Sequence, residues 1–192
     1  LFLSSFILGV FKGESAAMKL DALLAQVGKS RAQPVPPVEK WQPAFSGDMD
    51  IVIRADGSWW HEGVKFERLE LVNLFASILR HEQGEYFLVT PVEKWRIQVQ
   101  DRPLFVSLVQ AQADEISLLT TTNDALVLGA EHPLRLSQVQ GVAVAEVRVR
   151  HDLWARFTRN AWYDLLECAN ETADGRFIVR SLGVVFELDC WH

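Results

Sequence analysis

Cysteine is nearly absent, with Cys168 and Cys190 the only two in 192 residues. Two thiols cannot build the disulfide framework of a small secreted domain, and their separation fits no zinc knuckle. They read as ordinary thiols of a reducing compartment, which predicts a cytoplasmic protein. Surplus positive charge is missing too. Nineteen Lys and Arg against 25 Asp and Glu give a net charge of −6. An extended nucleic-acid footprint, which needs clustered cations to displace counterions, is therefore not expected. No apolar run reaches the roughly 20 residues of a membrane helix. Leu1 to Phe11 is too short for one and lacks the basic start of a secretory signal. Met18-Lys19-Leu20-Asp21 reads like a natural start, so residues 1–17 are expected to be upstream sequence or a non-native remnant.

Enzyme signatures are also missing. There is no Walker phosphate loop, no Gly-x-Gly-x-x-Gly fingerprint and no Gly-x-Ser-x-Gly elbow. His61-Glu62 and His81-Glu82 lack the second histidine of a zinc protease helix, and Cys190-x-His192 is a weak metal signal. A dyad of Cys168 with a distant histidine stays open, beside the plainer reading of Cys168 as a packed helix residue. No catalytic residue, metal or cofactor is assigned.

What is present is a globular pattern: 49% apolar and 23% charged residues argue against disorder. Residues 19–27 read as a short helix, and Pro34, Pro36, Pro37 and Pro43 as an extended linker that Trp41 and Phe45 pin to the body. From near Met49 the order is strand, strand, helix, strand, strand. Ile51 and Ile53 alternate with polar positions, Asp56-Gly57 makes a tight turn, and Trp59-Trp60-His61 returns. Leu71, Leu74, Phe75, Ile78 and Leu79 form one helical stripe. Tyr86 to Val89 and Trp95 to Val99 follow as strands.

The same order recurs near the C-terminus. Val147 and Val149 alternate with Arg148 and Arg150, and Leu153 to Thr158 returns. Trp162, Leu165, Leu166 and Ala169 then form a helical stripe with Asn160 as N-cap, before strands at Phe177 and Val184. Gly84 precedes Trp95 by the same interval as Gly175 precedes Phe186. The expectation is an α+β fold built by tandem duplication of a strand-strand-helix-strand-strand unit. Residues 1–47 are an extension and linker, 48–102 the first repeat domain and 103–192 the second. Additional strands at 105–109, 116–120 and 126–128 make the second unit larger.

Asp56-Gly57-Ser58-Trp59, Leu71 to Phe75 and the run Leu88-Val89-Thr90-Pro91-Val92-Glu93-Lys94 resemble the bacterial Domain of Unknown Function 1285 family. Val149-Arg150, Leu153-Trp154-Ala155-Arg156, Arg159 and Ser181-Leu182-Gly183 extend the resemblance from about Asp48 to Leu188. It implies a duplicated α+β core with a C-terminal domain superficially like pleckstrin-homology folds. It also implies a cleft between the domains for a nucleotide-like ligand, and a link to signalling.

The main candidate constellation is Arg148, Arg150, Arg156 and Arg159. Arg148 and Arg150 are two apart on a strand and so share a face, Arg156 lies on the returning strand, and Arg159 opens the helix. Guanidinium groups grip phosphate or carboxylate in a bidentate fork, and a helix N-terminus adds donors. The cluster reads either as a pocket for a phosphate-bearing small molecule or as a strand face paired with acids of the other domain. Thr90, Glu93 and Lys94, set on the rigid Pro91 turn, suit ligand recognition and a structural ion pair equally. Trp59 and Trp60 offer either an aromatic platform or core. Asp101-Arg102-Pro103 reads as a turn, with Asp101 placed to orient an arginine of the other unit. The leading functional expectation is a non-enzymatic ligand-binding or sensor protein for a small anionic ligand. A protein-interaction module is the alternative, and a hydrolase comes last.

Overall fold

The computed structural model describes residues 36–139 and 142–188. The helix expected at 19–27, Pro34 and the tail from Asp189 lie outside the described residues. The described residues separate into two compact units, one comprising those up to Val52 with Trp60–Gln98, the other Ile53–Trp59 with those from Val99. Among the described residues no helix is long and apolar enough to cross a membrane.

The first unit holds β1 (Phe45–Ile53), β2 (Trp59–His61), β3 (Val64–Lys65), α1 (Leu69–Ser77), β4 (Leu79–Glu82), β5 (Glu85–Val89) and β6 (Lys94–Val99), save the strand-end residues Ile53, Trp59 and Val99, which group with the second. These strands form one six-stranded sheet in the order β3-β2-β1-β6-β5-β4. Two strands go beyond the expected pattern. Leu79 continues the helical stripe in sequence, but the helix stops at Ser77 and Leu79 pairs with Leu88 across β4 and β5. The turn Gln83-Gly84 between them has positive φ at both residues, the hairpin geometry whose twist matches the flanking strands. The linker is held at Trp41 and, beyond the expected residues, at Val38. Val38 is buried, and Arg80 Nη1 donates to the carbonyls of Val38 and Trp41 at 3.0 and 2.7 Å. Phe45 instead opens β1 and is exposed.

The second unit holds β7 (Leu104–Gln112), β8 (Glu115–Thr120), β9 (Ala125–Val127), β10 (Leu134–Val139), β11 (Val142–Arg150), β12 (Leu153–Phe157), α2 (Arg159–Glu167), β13 (Asn170–Glu171), β14 (Phe177–Ser181) and β15 (Val184–Glu187). A six-stranded sheet runs β10-β11-β12-β7-β8-β9, and β13-β14-β15 form a separate three-stranded sheet. Alternating burial along β8 and β12 puts Ile116, Leu118, Leu153 and Ala155 in the core beside Leu104, Val147 and Leu165. Helix α2 is capped two residues earlier than expected. Thr158, not Asn160, is the N-cap, because its hydroxyl accepts from Ala161 N at 3.3 Å. The architecture is thus α+β with a duplicated unit, each copy a curled sheet with one helix.

Candidate functional site

Three neighbouring strands of the second unit bring unlike charges to one row. Arg135 on β10 pairs in register with Glu146 on β11, and Glu146 pairs with Arg156 on β12. Directly opposed residues in a sheet project to the same face, so a carboxylate sits with a guanidinium on either side. Arg102, just after β6, closes the group. Its Nε and Nη2 donate to Glu146 Oε1 and Oε2 at 2.5 and 3.3 Å. Arg135 reaches Oε2 from Nε at 3.0 Å and from Nη2 at 2.9 Å, and Arg156 Nη2 lies 3.6 Å from Oε1. Asp101 completes the cluster by taking both terminal nitrogens of Arg156, Nη2 at 2.9 Å.

Glu146 has no exposed surface. Burial by itself would push its carboxyl up, but hydrogen bonds and charge from Arg102 and Arg135 outweigh that and hold it below the usual range. It is therefore an anion inside the fold. Arg156 is largely buried, and its Nε has no hydrogen-bond partner among the described residues. Arg135 is the outermost member, with its side chain 43% exposed. Its guanidinium carbon lies 3.7 Å from the Trp154 ring centroid, a cation-π contact that fixes the plane of the fork. Among the described residues the bonds of Arg135 to protein go to one oxygen of Glu146, which leaves further guanidinium donors unengaged there.

The four arginines expected to act together go to separate partners. Only Arg156 joins the Glu146 cluster. Arg150 Nη1 donates to Asp124 Oδ1 at 2.7 Å, and Asp124 Oδ2 also accepts from the hydroxyls of Thr120 and Thr122 at 2.9 and 2.8 Å. Arg148 Nη2 reaches the Glu131 carbonyl at 3.1 Å, and the strand pairing shifts register between Arg148 and Arg150. Arg159 is exposed on the first turn of α2 and contacts only Tyr163 among the described residues. The acids that meet Arg150 and Arg156 lie in the same unit as the arginines. Asp101 does orient an arginine, within its own unit.

In the first unit Thr90 is fully buried, and its hydroxyl accepts from Glu93 N at 3.0 Å, closing the Pro91 turn. Lys94 is ion-paired with Glu82 and sits 4.2 Å above the Phe87 ring, while Glu93 is half-buried beside it. Trp59 is core at 1% exposure. A mixed polar groove of about 700 Å³ in the second unit is lined by Glu115, Cys168, Asn170 and Arg180. Burial, and then Glu167 and Asp164, push the Cys168 thiol up, which opposes the thiolate form a nucleophile needs.

Residues 36–102 match the family model described as Domain of unknown function (DUF1285), N-terminal domain. Residues 103–188 match that described as Protein of unknown function (DUF1285), C-terminal domain. No curated protein matches the sequence. Among solved structures, a DUF1285 family protein from Silicibacter pomeroyi DSS-3 is similar at 35% identity and a TM-score of 0.77. That likeness covers 86% of this chain and 93% of the other. A second DUF1285 family protein, from Shewanella baltica OS155, is 27% identical with a TM-score of 0.52, covering 62% of this chain and 91% of its own.

Proposed function

The chain belongs to the DUF1285 family, and from that premise we propose that it is a non-enzymatic ligand-binding or sensor protein of the cytoplasm. Its ligand is a small anion, nucleotide-like or otherwise phosphorylated, taken at the Arg102, Arg135 and Arg156 cluster of the second unit. One observation carries the reading: Arg135 is half-exposed yet is bonded to Glu146 and packed against the Trp154 ring. An exposed arginine left to itself loses rotamer freedom on gripping an anion, and a pre-oriented fork avoids much of that cost. Glu146 and Asp101 serve as fixed counter-charges that keep three guanidinium groups together in the absence of ligand.

The test is a thermal-shift screen of the full chain against nucleotides and phosphorylated metabolites. A ligand at about a hundred times its dissociation constant adds roughly 2.7 kcal/mol to stability and raises the midpoint measurably. The shift should vanish in Arg135→Gln, which touches only the outermost arginine. A shift of the same size in that variant would remove the site from consideration.

A further inference from the structure

The two copies of the unit end in the same strand pair, but only one copy finishes its sheet. In the first unit Arg96 follows Trp95 on β6 and meets two acids: Glu85 at the start of β5, at 2.8 Å, and Asp48 on β1, at 2.6 Å. In the second unit Glu187 follows Phe186 on β15 and meets Arg176, just before β14, at 2.5 Å. Both pairs span 11 residues. The second is the first with its charges exchanged. What lacks a counterpart is the contact made by Asp48. Strand β1 lies beside β6 in the sheet, whereas β15 is the last strand of its sheet, with nothing paired to its outer edge among the described residues.

The free edge is built to take a strand. Ser181 pairs with Val184 across the two-residue turn Leu182-Gly183, and Leu188 N donates to Phe177 O at 2.8 Å. In an antiparallel ladder this alternation turns the amides and carbonyls of Val185 and Glu187 outward. The edge reads Val-Val-Phe-Glu, with no proline, lysine or glycine to blunt it, and Val185 is 50% exposed.

We propose that the outer edge of β15 binds an extended segment of a partner polypeptide by strand addition. The segment carries a Lys or Arg beside Glu187 and an apolar residue beside Val185. Strand β1 is the internal template for its direction and charge. Lys94 N donates to Ser46 Oγ at 3.1 Å and Arg96 meets Asp48, so β1 and β6 run the same way. The incoming segment runs parallel to β15 and, since the charges are exchanged, puts a cation where β1 has Asp48. Main-chain bonds supply affinity and the cation supplies selectivity.

The experiment titrates the full chain with two synthetic peptides, one copying Phe45–Ile53 and one copying it with Asp48→Lys, followed by backbone amide NMR. The Lys peptide should bind, move the amides of Val185 and Glu187, and bind more tightly than the Asp peptide. Val185→Pro removes one outward donor while sparing the bonds to β14, and should weaken binding about tenfold. Glu187→Arg, an exposed charge change that leaves the strand itself intact, should reverse the peptide preference. Binding untouched by Val185→Pro, or a preference that Glu187→Arg does not alter, overturns the proposal. So does dimerisation lost in Val185→Pro, which would make a second copy the occupant. Slow exchange of the Val185 and Glu187 amides in the monomer without peptide would mean that the chain covers its own edge, and overturns it equally.

Discussion

The two units start from one pattern and solve their sheets differently. In the first, β6 returns to lie beside β1, so that strands from both ends of the unit share one sheet. In the second, the strand with the position of β1 is β11, and its corresponding edge is already taken by β10. With that edge occupied, β13, β14 and β15 stand as a sheet of their own. The extra strands β7 to β10 thus do more than enlarge the second unit. They bring Arg135 beside Glu146, and among the described residues they leave β15 paired on one side only. Both units also set an acid between cations, Glu82 between Arg80 and Lys94 in one and Glu146 among Arg102, Arg135 and Arg156 in the other. Glu82 keeps about a third of its side chain in solvent, while Glu146 keeps none.

That difference in burial sets the largest expected effect. Glu146→Ala removes the anion from a buried cluster and should cost about 3 kcal/mol, because the remaining charges lose a partner they cannot replace with water. Glu82→Ala should cost only about 1 kcal/mol, since water reaches the site and Arg80 keeps its bonds to the Val38 and Trp41 carbonyls. Urea denaturation midpoints measure both, and equal losses would break the comparison.

Two glycines sharpen it at the next level. Gly57 and Gly84 have nearly equal φ, +81° and +85°. A Cβ at Gly57 would lie 2.8 Å from the Phe105 ring, whereas at Gly84 it would meet nothing within 4 Å. Gly84→Ala should cost about 1 kcal/mol for the backbone alone. Gly57→Ala should cost about 2–3 kcal/mol, the excess being overpacking against Phe105. Thermal or urea midpoints of the two variants give that excess directly.

The smallest effect is a difference in acid response. Burial lowers the His61 pKa from its ordinary 6.5, with Glu62 and Asp50 partly opposing. Its neutral form belongs to the fold, so the contribution is complete above pH 6.5 and declines as the pH falls below that value, where the unfolded chain takes the proton first. Glu146, held below its ordinary 4.5, contributes fully above that value and loses its contribution as the pH falls through its lower folded value. The first unit should therefore weaken at milder acidity than the second. Amide exchange on β2 compared with β11, followed from pH 7 to pH 4, reads out the order, and His61→Gln should flatten the first phase.

Much of this was legible in the sequence wherever the signal was local. Asp56-Gly57 marked one hairpin, the equal intervals from Gly84 to Trp95 and from Gly175 to Phe186 marked the repeat, β11 declared itself by alternation, and β7, β8 and β12 were expected as short strands. Strand β4 was hidden because Leu79 also fits the helical stripe of α1, and β13 because two polar residues carry no period. The site was half legible. Glu146 stands two before Arg148 and four before Arg150 on one strand, so its alternation with the arginines could have been read. Arg135 and Arg102 could not, because only the register of β10 on β11, and the path of the chain after β6, bring them to the carboxylate. Parity along a strand sets which face a side chain takes, but its partner is set by neighbouring strands.

In the proposed site Arg135 is the pre-oriented anion grip, and the indole N–H of Trp154, the ring against which it packs, reports on it. Titration of the full chain with the ligand that raises its thermal midpoint, followed by NMR at that indole, tests it most directly. A saturable shift of the Trp154 signal that is abolished by Arg135→Gln is the predicted result. A midpoint that rises while the Trp154 signal stays in place would put the ligand elsewhere and contradict the account.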